Sequence, residues 1–374
     1  MRRLLSLALL SLLVLVPVYA TGQAGETVYE YSVTYVFVNK GNSTVVLPLN
    51  GSLLRFYLVP DIEGWQELAN YSVVIDGNDT TKSFRLTVDS ERNQMLVSDD
   101  VLELEPGSNH TIQVVQLVRV RSFGSREFKD MPAEMEACNV TGELVYTGGF
   151  WSDAENSTAL DDLANELWNK SDEDWRQYVL EVVKRVAGNV EYGEPVEGGV
   201  SLPRDVLKNR KGACGDRAGL ITALLRRKGI GSYLYLSLYY YGKEPLKTKQ
   251  DNIEVVYDKA RLHIFSMCRC GDKEFPVDTT LPLVDPDRPA LAIKGALVNK
   301  EDKVIVIARF VGGSPNSNVN TLLEIYSPSS DVNLKVTIKL KVVERAYALT
   351  IYTLLSIAVL IAAVILYVAL GKTR

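Results

Sequence analysis

Leu207-Lys208-Asn209-Arg210-Lys211-Gly212-Ala213-Cys214-Gly215-Asp216-Arg217-Ala218 is the stretch on which the fold turns. A polar approach passes through a glycine into a cysteine that opens an apolar helix. Leu220, Ile221, Leu224 and Leu225 supply the apolar stripe. Arg226, Arg227 and Lys228 fill the last turn and Gly229 ends it, as basic side chains and glycine do at helix C-termini. The spacing predicts a helix over 214–228. A cysteine in its first turn lies among N–H groups with no intrahelical acceptor, at the positive end of the dipole. Both favour the thiolate, which is the nucleophile. Gly212 and Gly215 leave room for a substrate backbone.

A thiolate nucleophile needs a base to accept its proton and return it to a leaving group. The chain has only two histidines. His110 sits within Asn109-His110-Thr111, in a strand-rich N-terminal region, and reads as a surface residue. His263 lies on the strand Arg261-Leu262-His263-Ile264-Phe265, in the same half of the chain as Cys214. Pro276-Val277-Asp278-Thr279-Thr280 then places an acid at the end of the next strand. A hairpin of these two strands sets Asp278 beside His263, facing the cysteine helix. That is the logic of a nucleophile, a base and an acid that orients the base.

The surrounding pattern is mixed. Residues 25–125 read as short strands: Tyr29, Tyr31, Val33, Tyr35 and Phe37 alternate before the turn cluster Asn39-Lys40-Gly41-Asn42, and Ile112, Val114, Val118 and Val120 share a face. Alternating strands separated by turn residues predict a β-sandwich, placed at 24–130. From residue 160 the period becomes helical. Leu160, Leu163, Ala164 and Leu167 fit one face, and Ser171-Asp172-Glu173-Asp174 reads as the start of a second helix running to Gly188. After the cysteine helix, Tyr233, Tyr235 and Tyr239 alternate with Leu234, Leu236 and Leu238 on a strand. Further strands are expected at 262–267 and 274–277. In 291–345, Leu334, Val336, Ile338 and Leu340 alternate with lysines. This segment is either a small β unit or extra strands on an earlier sheet.

Three motifs together carry a family resemblance. The run Gly212-Ala213-Cys214-Gly215-Asp216 matches a G-x-C-x-[DE] helix start, and Leu224-Leu225-Arg226-Arg227-Lys228-Gly229-Ile230 matches its helix exit. Leu262-His263-Ile264-Phe265 and Val277-Asp278-Thr279-Thr280 follow in order. The chain thus resembles the transglutaminase-like cysteine superfamily, of a membrane-anchored prokaryotic type, over about residues 160–285. The resemblance implies an α+β, papain-like core at 131–290 preceded by the sandwich. It also implies Cys214 as nucleophile, His263 as general base and acid, and Asp278 as the orienting acid. Phe265 stands where the family has tryptophan, and no side-chain oxyanion donor is assigned. Two outcomes follow from one acyl-enzyme: water makes a cysteine peptidase or amidase, an amine makes a protein-glutamine acyltransferase. A catalytically silent binding or structural protein of the cell envelope is the alternative, because a fold alone does not confer activity.

The ends set the compartment. Met1-Arg2-Arg3, an uncharged run from Leu4 to Val16 and the exit Val18-Tyr19-Ala20 read as a signal peptide over 1–23. Ala346 to Leu370 carries no charge and is long enough to cross a bilayer as a helix. Residues 371–374 are then a cytoplasmic tail, and 291–345 is the membrane-proximal segment of a single-pass plasma-membrane protein whose body is outside. Asn42, Asn50, Asn70, Asn78, Asn109, Asn139, Asn156 and Asn169 begin Asn-x-Ser/Thr triplets. Chance supplies roughly three, so these read as N-glycosylation sites on the surface. A protein or peptide at the cell surface is the expected substrate.

Composition excludes other classes. The 374 residues are 47% hydrophobic and 23% charged, with net charge −5. This is a globular composition without the basic footprint of a nucleic-acid binder. No common nucleotide-binding loop occurs, and no cofactor is expected. Cys268-Arg269-Cys270 with one nearby histidine is a poor metal-ligand set. Cys138, Cys268 and Cys270 leave an odd thiol if Cys214 is free, and if all four pair there is no nucleophile.

Overall fold

A computed structural model describes residues 26–51, 54–121, 142–152, 158–193, 200–242, 244–270, 273–279, 304–312 and 331–346. The signal segment, Cys138, Asn139, Asn156 and the tail lie outside these residues, as does the expected membrane helix save Ala346, its first residue. Among the described residues no helix is long and apolar enough to cross a membrane. One unit spans Val28–Val343, and the other takes in the chain ends, of which only 26–27 and 344–346 are described.

The N-terminal strands are β1 (Glu26–Asn39), β2 (Val45–Pro48), β3 (Phe56–Tyr57), β4 (Gln66–Ile75), β5 (Asn78–Asp79), β6 (Arg85–Val88), β7 (Gln94–Val97), β8 (Val101–Leu104) and β9 (Asn109–Arg121). There follow α1 (Ala159–Lys170), α2 (Trp175–Asn189), β10 (Glu191–Tyr192), α3 (Pro203–Asn209), β11 (Lys211–Gly212) and α4 (Cys214–Arg226). The remainder is β12 (Gly231–Tyr240), β13 (Leu246–Gln250), β14 (Ile253–Asp258), β15 (Ala260–Cys270), β16 (Lys273–Val277), β17 (Val304–Phe310) and β18 (Val332–Ala346).

A seven-stranded sheet has the order β13-β14-β18-β1-β9-β4-β5, and a three-stranded sheet the order β3-β7-β6. Strict alternation drives their packing. Tyr29, Tyr31, Val33, Tyr35 and Phe37 of β1 are all buried, because side chains two apart share a face. Tyr35 meets Phe56 across the layers, ring centroids 5.6 Å apart. Gln116, buried on β9, accepts from the Val59 N–H at 2.9 Å and donates to the Tyr57 carbonyl at 2.9 Å.

A second, antiparallel sheet has the order β16-β15-β12-β17. Both faces of β12 are buried, since α4 covers one face and the sandwich the other. On the helix side, Thr222 of α4 shares a 2.8 Å hydrogen bond with Ser266 of β15. Helix α2 is capped by Asp174, which accepts from the N–H groups of Arg176 and Gln177 at 2.8 and 3.2 Å. Tyr178 then ties α2 to α4 by donating to the Leu224 carbonyl at 2.7 Å.

The sandwich also seals the outer edge of this sheet. The Gln66 side-chain amide donates to the Val306 carbonyl at 2.9 Å and accepts from its N–H at 2.9 Å. Asn93 repeats the arrangement on Arg309, at 2.9 and 2.7 Å. Glu91 accepts from the N–H groups of Val311 and Gly312 at 2.6 and 3.2 Å. Three side chains thereby serve as a neighbouring strand, and the edge strand β17 is left with no open ladder at these points.

The chain crosses between sheets more than the sequence pattern announces. The run 246–258, which carries no strand expectation, is the hairpin β13–β14, and β14 pairs in parallel with β18. The two described strands of the C-terminal segment go to different sheets: β17 joins β12, and β18 lies between β14 and β1. Alternation says which face of a strand is buried but not which partner it takes.

Candidate active site

Cys214 is the first residue of α4, and local packing places it there. Asp216, buried one turn in, accepts from the Ala213 N–H at 2.7 Å and the Ser201 N–H at 2.6 Å. One carboxylate therefore caps the helix and pins the segment beside it. The space is too tight for side chains. A Cβ on Gly212 would lie 2.4 Å from the Asp216 Cβ, and one on Gly215 would lie 2.6 Å from Val200 Cγ2. Cys214 is half-exposed and is a free thiol.

His263 stands on β15 opposite Ser237 of β12, whose hydroxyl donates to the His263 carbonyl at 2.9 Å. Asp278 follows the last residue of β16, which pairs antiparallel with β15. The hairpin brings His263 Nε2 to 2.7 Å from Asp278 Oδ2, and the two side chains are only 6% and 2% exposed. Cys214 lies close enough to the same imidazole to raise its pKa. With Nε2 on Asp278, Nδ1 is the nitrogen left for the sulfur. Burial drives the His263 pKa down. The Asp278 charge and hydrogen bond, with the nearness of Cys214, outweigh it and push the value up to about 10.

Tyr192 and Arg217 complete the surroundings, and no sequence motif singled them out. Tyr192 pairs with Gly212, two residues before Cys214, in the short parallel ladder of β10 and β11. It is 56% exposed. Its ring lies over the Arg217 guanidinium, 5.4 Å from centroid to Cζ. Burial first, and then the charge of Cys214, raise its pKa. Arg217, held by the carbonyls of Thr279 and Val190, has its pKa lowered by burial, against the opposing pull of Tyr192 and Asp278. The signal for Tyr192 was spatial: a two-residue strand is too short to show a period.

The other candidate residues lie elsewhere. His110 is on the sandwich, with Nδ1 2.6 Å from Asp76 Oδ2. Asn42, Asn50, Asn70, Asn78, Asn109 and Asn169 are exposed. Cys268 is a buried free thiol; the side chain of Cys270 lies outside the description. Among the described residues no group of three or more His, Cys, Asp or Glu is placed to hold a metal.

Residues 161–264 match the family model of the transglutaminase-like superfamily. This stretch is a transglutaminase-like domain. It contains Cys214 and His263 and stops short of Asp278, whose place in the site rests on geometry. The domain match covers well under half of the chain. No curated protein matches. Among solved structures, the chain is similar to a candidate cysteine protease from Cytophaga hutchinsonii, at 12% identity and a TM-score of 0.47, over 87% of this chain and 94% of that one. It is also similar to a candidate protease from Parabacteroides distasonis, at 12% identity and a TM-score of 0.26, over 68% and 64%.

Proposed function

We propose that the transglutaminase-like domain acts on amide bonds through Cys214, His263 and Asp278, in an exported protein anchored by residues 346–370. One observation carries this reading: a free sulfur at a helix N-terminus lies near an imidazole that a buried carboxylate holds at 2.7 Å. The Cys214 sulfur attacks the carbonyl carbon and a C–S bond forms. The oxyanion so created lies near the Cys214 N–H, which has no intrahelical acceptor, and near the Tyr192 hydroxyl. Imidazolium at His263 gives its Nδ1 proton to the leaving nitrogen as the C–N bond breaks. Water or an amine then adds to the thioester, the imidazole takes its proton, and the C–S bond breaks to return the thiolate. Asp278 holds Nε2 and stabilises the cation throughout. Hydrolysis and amine transfer share the first half, and both remain open to this site.

The test is direct. Iodoacetamide should label Cys214 selectively at neutral pH, p-nitrophenyl acetate should give a burst of p-nitrophenol, and His263→Ala should abolish both. A Cys214 that resists alkylation, or reacts equally in His263→Ala, favours the silent envelope protein. The exposed sequons support glycosylation of an exterior body. Loss of mass on treatment with an N-glycosidase, and protease sensitivity of the body in intact cells, test that placement.

A further inference from the structure

Two consecutive residues of the sandwich reach the four-stranded sheet in different ways. Gln66 addresses its edge, and Trp65 addresses its face. Trp65 is fully buried at the entry to β4. Its indole stacks on Phe265, with centroids 5.7 Å apart and planes 29° apart. Phe265 in turn stacks on His263, at 5.9 Å and 20°. Tyr235 closes the flank of Phe265 at 5.8 Å in an edge-on contact. His263 and Phe265 are two apart on β15 and so share the face that looks to the sandwich.

A single hydrogen bond does not fix an imidazole. The bond from Nε2 to Asp278 leaves the ring able to pivot about the line from Cγ to Nε2, because χ2 of histidine is a broad torsion. That pivot swings Nδ1 away from the sulfur while the Asp278 contact persists. A flat group against the ring face blocks it, and Phe265 is that group. Phe265 is held in turn by the indole behind it. We propose that Trp65 is a positioning residue for the imidazole: through Phe265 it sets the plane of His263, so that Nδ1 stays on Cys214. The proposal rests on the triad reading above. It makes the sandwich, which lies outside the matched domain, part of the reactive apparatus.

The experiment uses the full chain with the pH profile of Cys214 alkylation by iodoacetamide. In Trp65→Leu the rate at neutral pH is expected to fall about tenfold, less than the hundredfold that a 1 Å misplacement can cost. The upper limit of the profile is expected to move down by about one pH unit. Trp65→Phe, which keeps a flat ring, should restore most of the rate. A folded Trp65→Leu protein with the wild-type profile overturns the proposal. Should Trp65→Leu fail to fold, Phe265→Leu must produce the same loss, and a wild-type profile there overturns it equally. Wild-type Cys214 that is indifferent to His263→Ala sinks the triad reading and this proposal together. Loss in His263→Ala together with loss in Trp65→Leu or Phe265→Leu supports both.

Discussion

Asp278→Asn separates charge from shape at the His263 pair. The carboxylate lies 2.7 Å from Nε2 and both groups are buried. Unit charges about 4 Å apart at an effective dielectric near 20 attract by about 4 kcal/mol. That is about three pH units at 1.36 kcal/mol per unit. His263, held at about 10 against the effect of burial, is therefore expected to titrate near 7 in the variant, by the same arithmetic. Histidine-labelled protein gives a clean readout, because the chain has only two histidines and His110→Gln identifies the other signal. Alkylation of Cys214 should lose its high-pH limb by the same interval. A wild-type His263 that titrates at its ordinary 6.5, or an Asp278→Asn variant that moves it by less than about half a unit, would refute the reasoning, since pairwise charge effects of this size are too large to hide.

Other expectations concern stability. His263 binds its proton more tightly folded than unfolded, so the pair's contribution is complete below the ordinary 6.5 and is lost as pH rises through about 10. The gap in urea midpoint between wild type and Asp278→Asn should narrow across that window, and a gap that widens would contradict it. Gly215→Ala brings a Cβ to 2.6 Å from Val200 and 3.2 Å from Ile264 and should cost about 1–3 kcal/mol by overpacking, read from urea unfolding. Gln66→Leu strands the N–H and carbonyl of Val306 at about 1–3 kcal/mol for each; an unchanged melt would show that water replaces the amide. Asp174→Ala removes the α2 cap and should lose about 1 kcal/mol.

Local signals in this sequence translated well. The expected helix at 214–228 is α4, ending at Arg226, because a glycine stop and a basic last turn are chemical features of the chain itself. The faces of β1, β9 and β18 follow from alternation, and Leu334, Val336, Ile338 and Leu340 are buried. Lys335 and Lys339 sit opposite Glu254 and Asp258 of β14, at 3.7 and 3.6 Å, so the lysine face is a paired one. Cys214 and Asp278 could be named because each lies at the end of an element with a readable start or stop, and His263 because the chain has only two histidines. Trp65, Gln66, Asn93 and Tyr192 could not. They act across distances of up to 240 positions, and nothing in the residues near them records what they will touch. The short helix α3 also escaped, although Pro203 in its first turn is a start signal.

The order of synthesis runs against the order of assembly in the large sheet. The last of the described strands to be made, β18, sits between β14 and the first, β1. A newly made N-terminal half therefore waits with an unzipped side on β1 until more than three hundred residues have emerged. Pairings so remote are slow to form, and an open strand margin invites association with other chains. Fragments that stop before residue 332 should accumulate as soluble oligomers rather than as a smaller working protein.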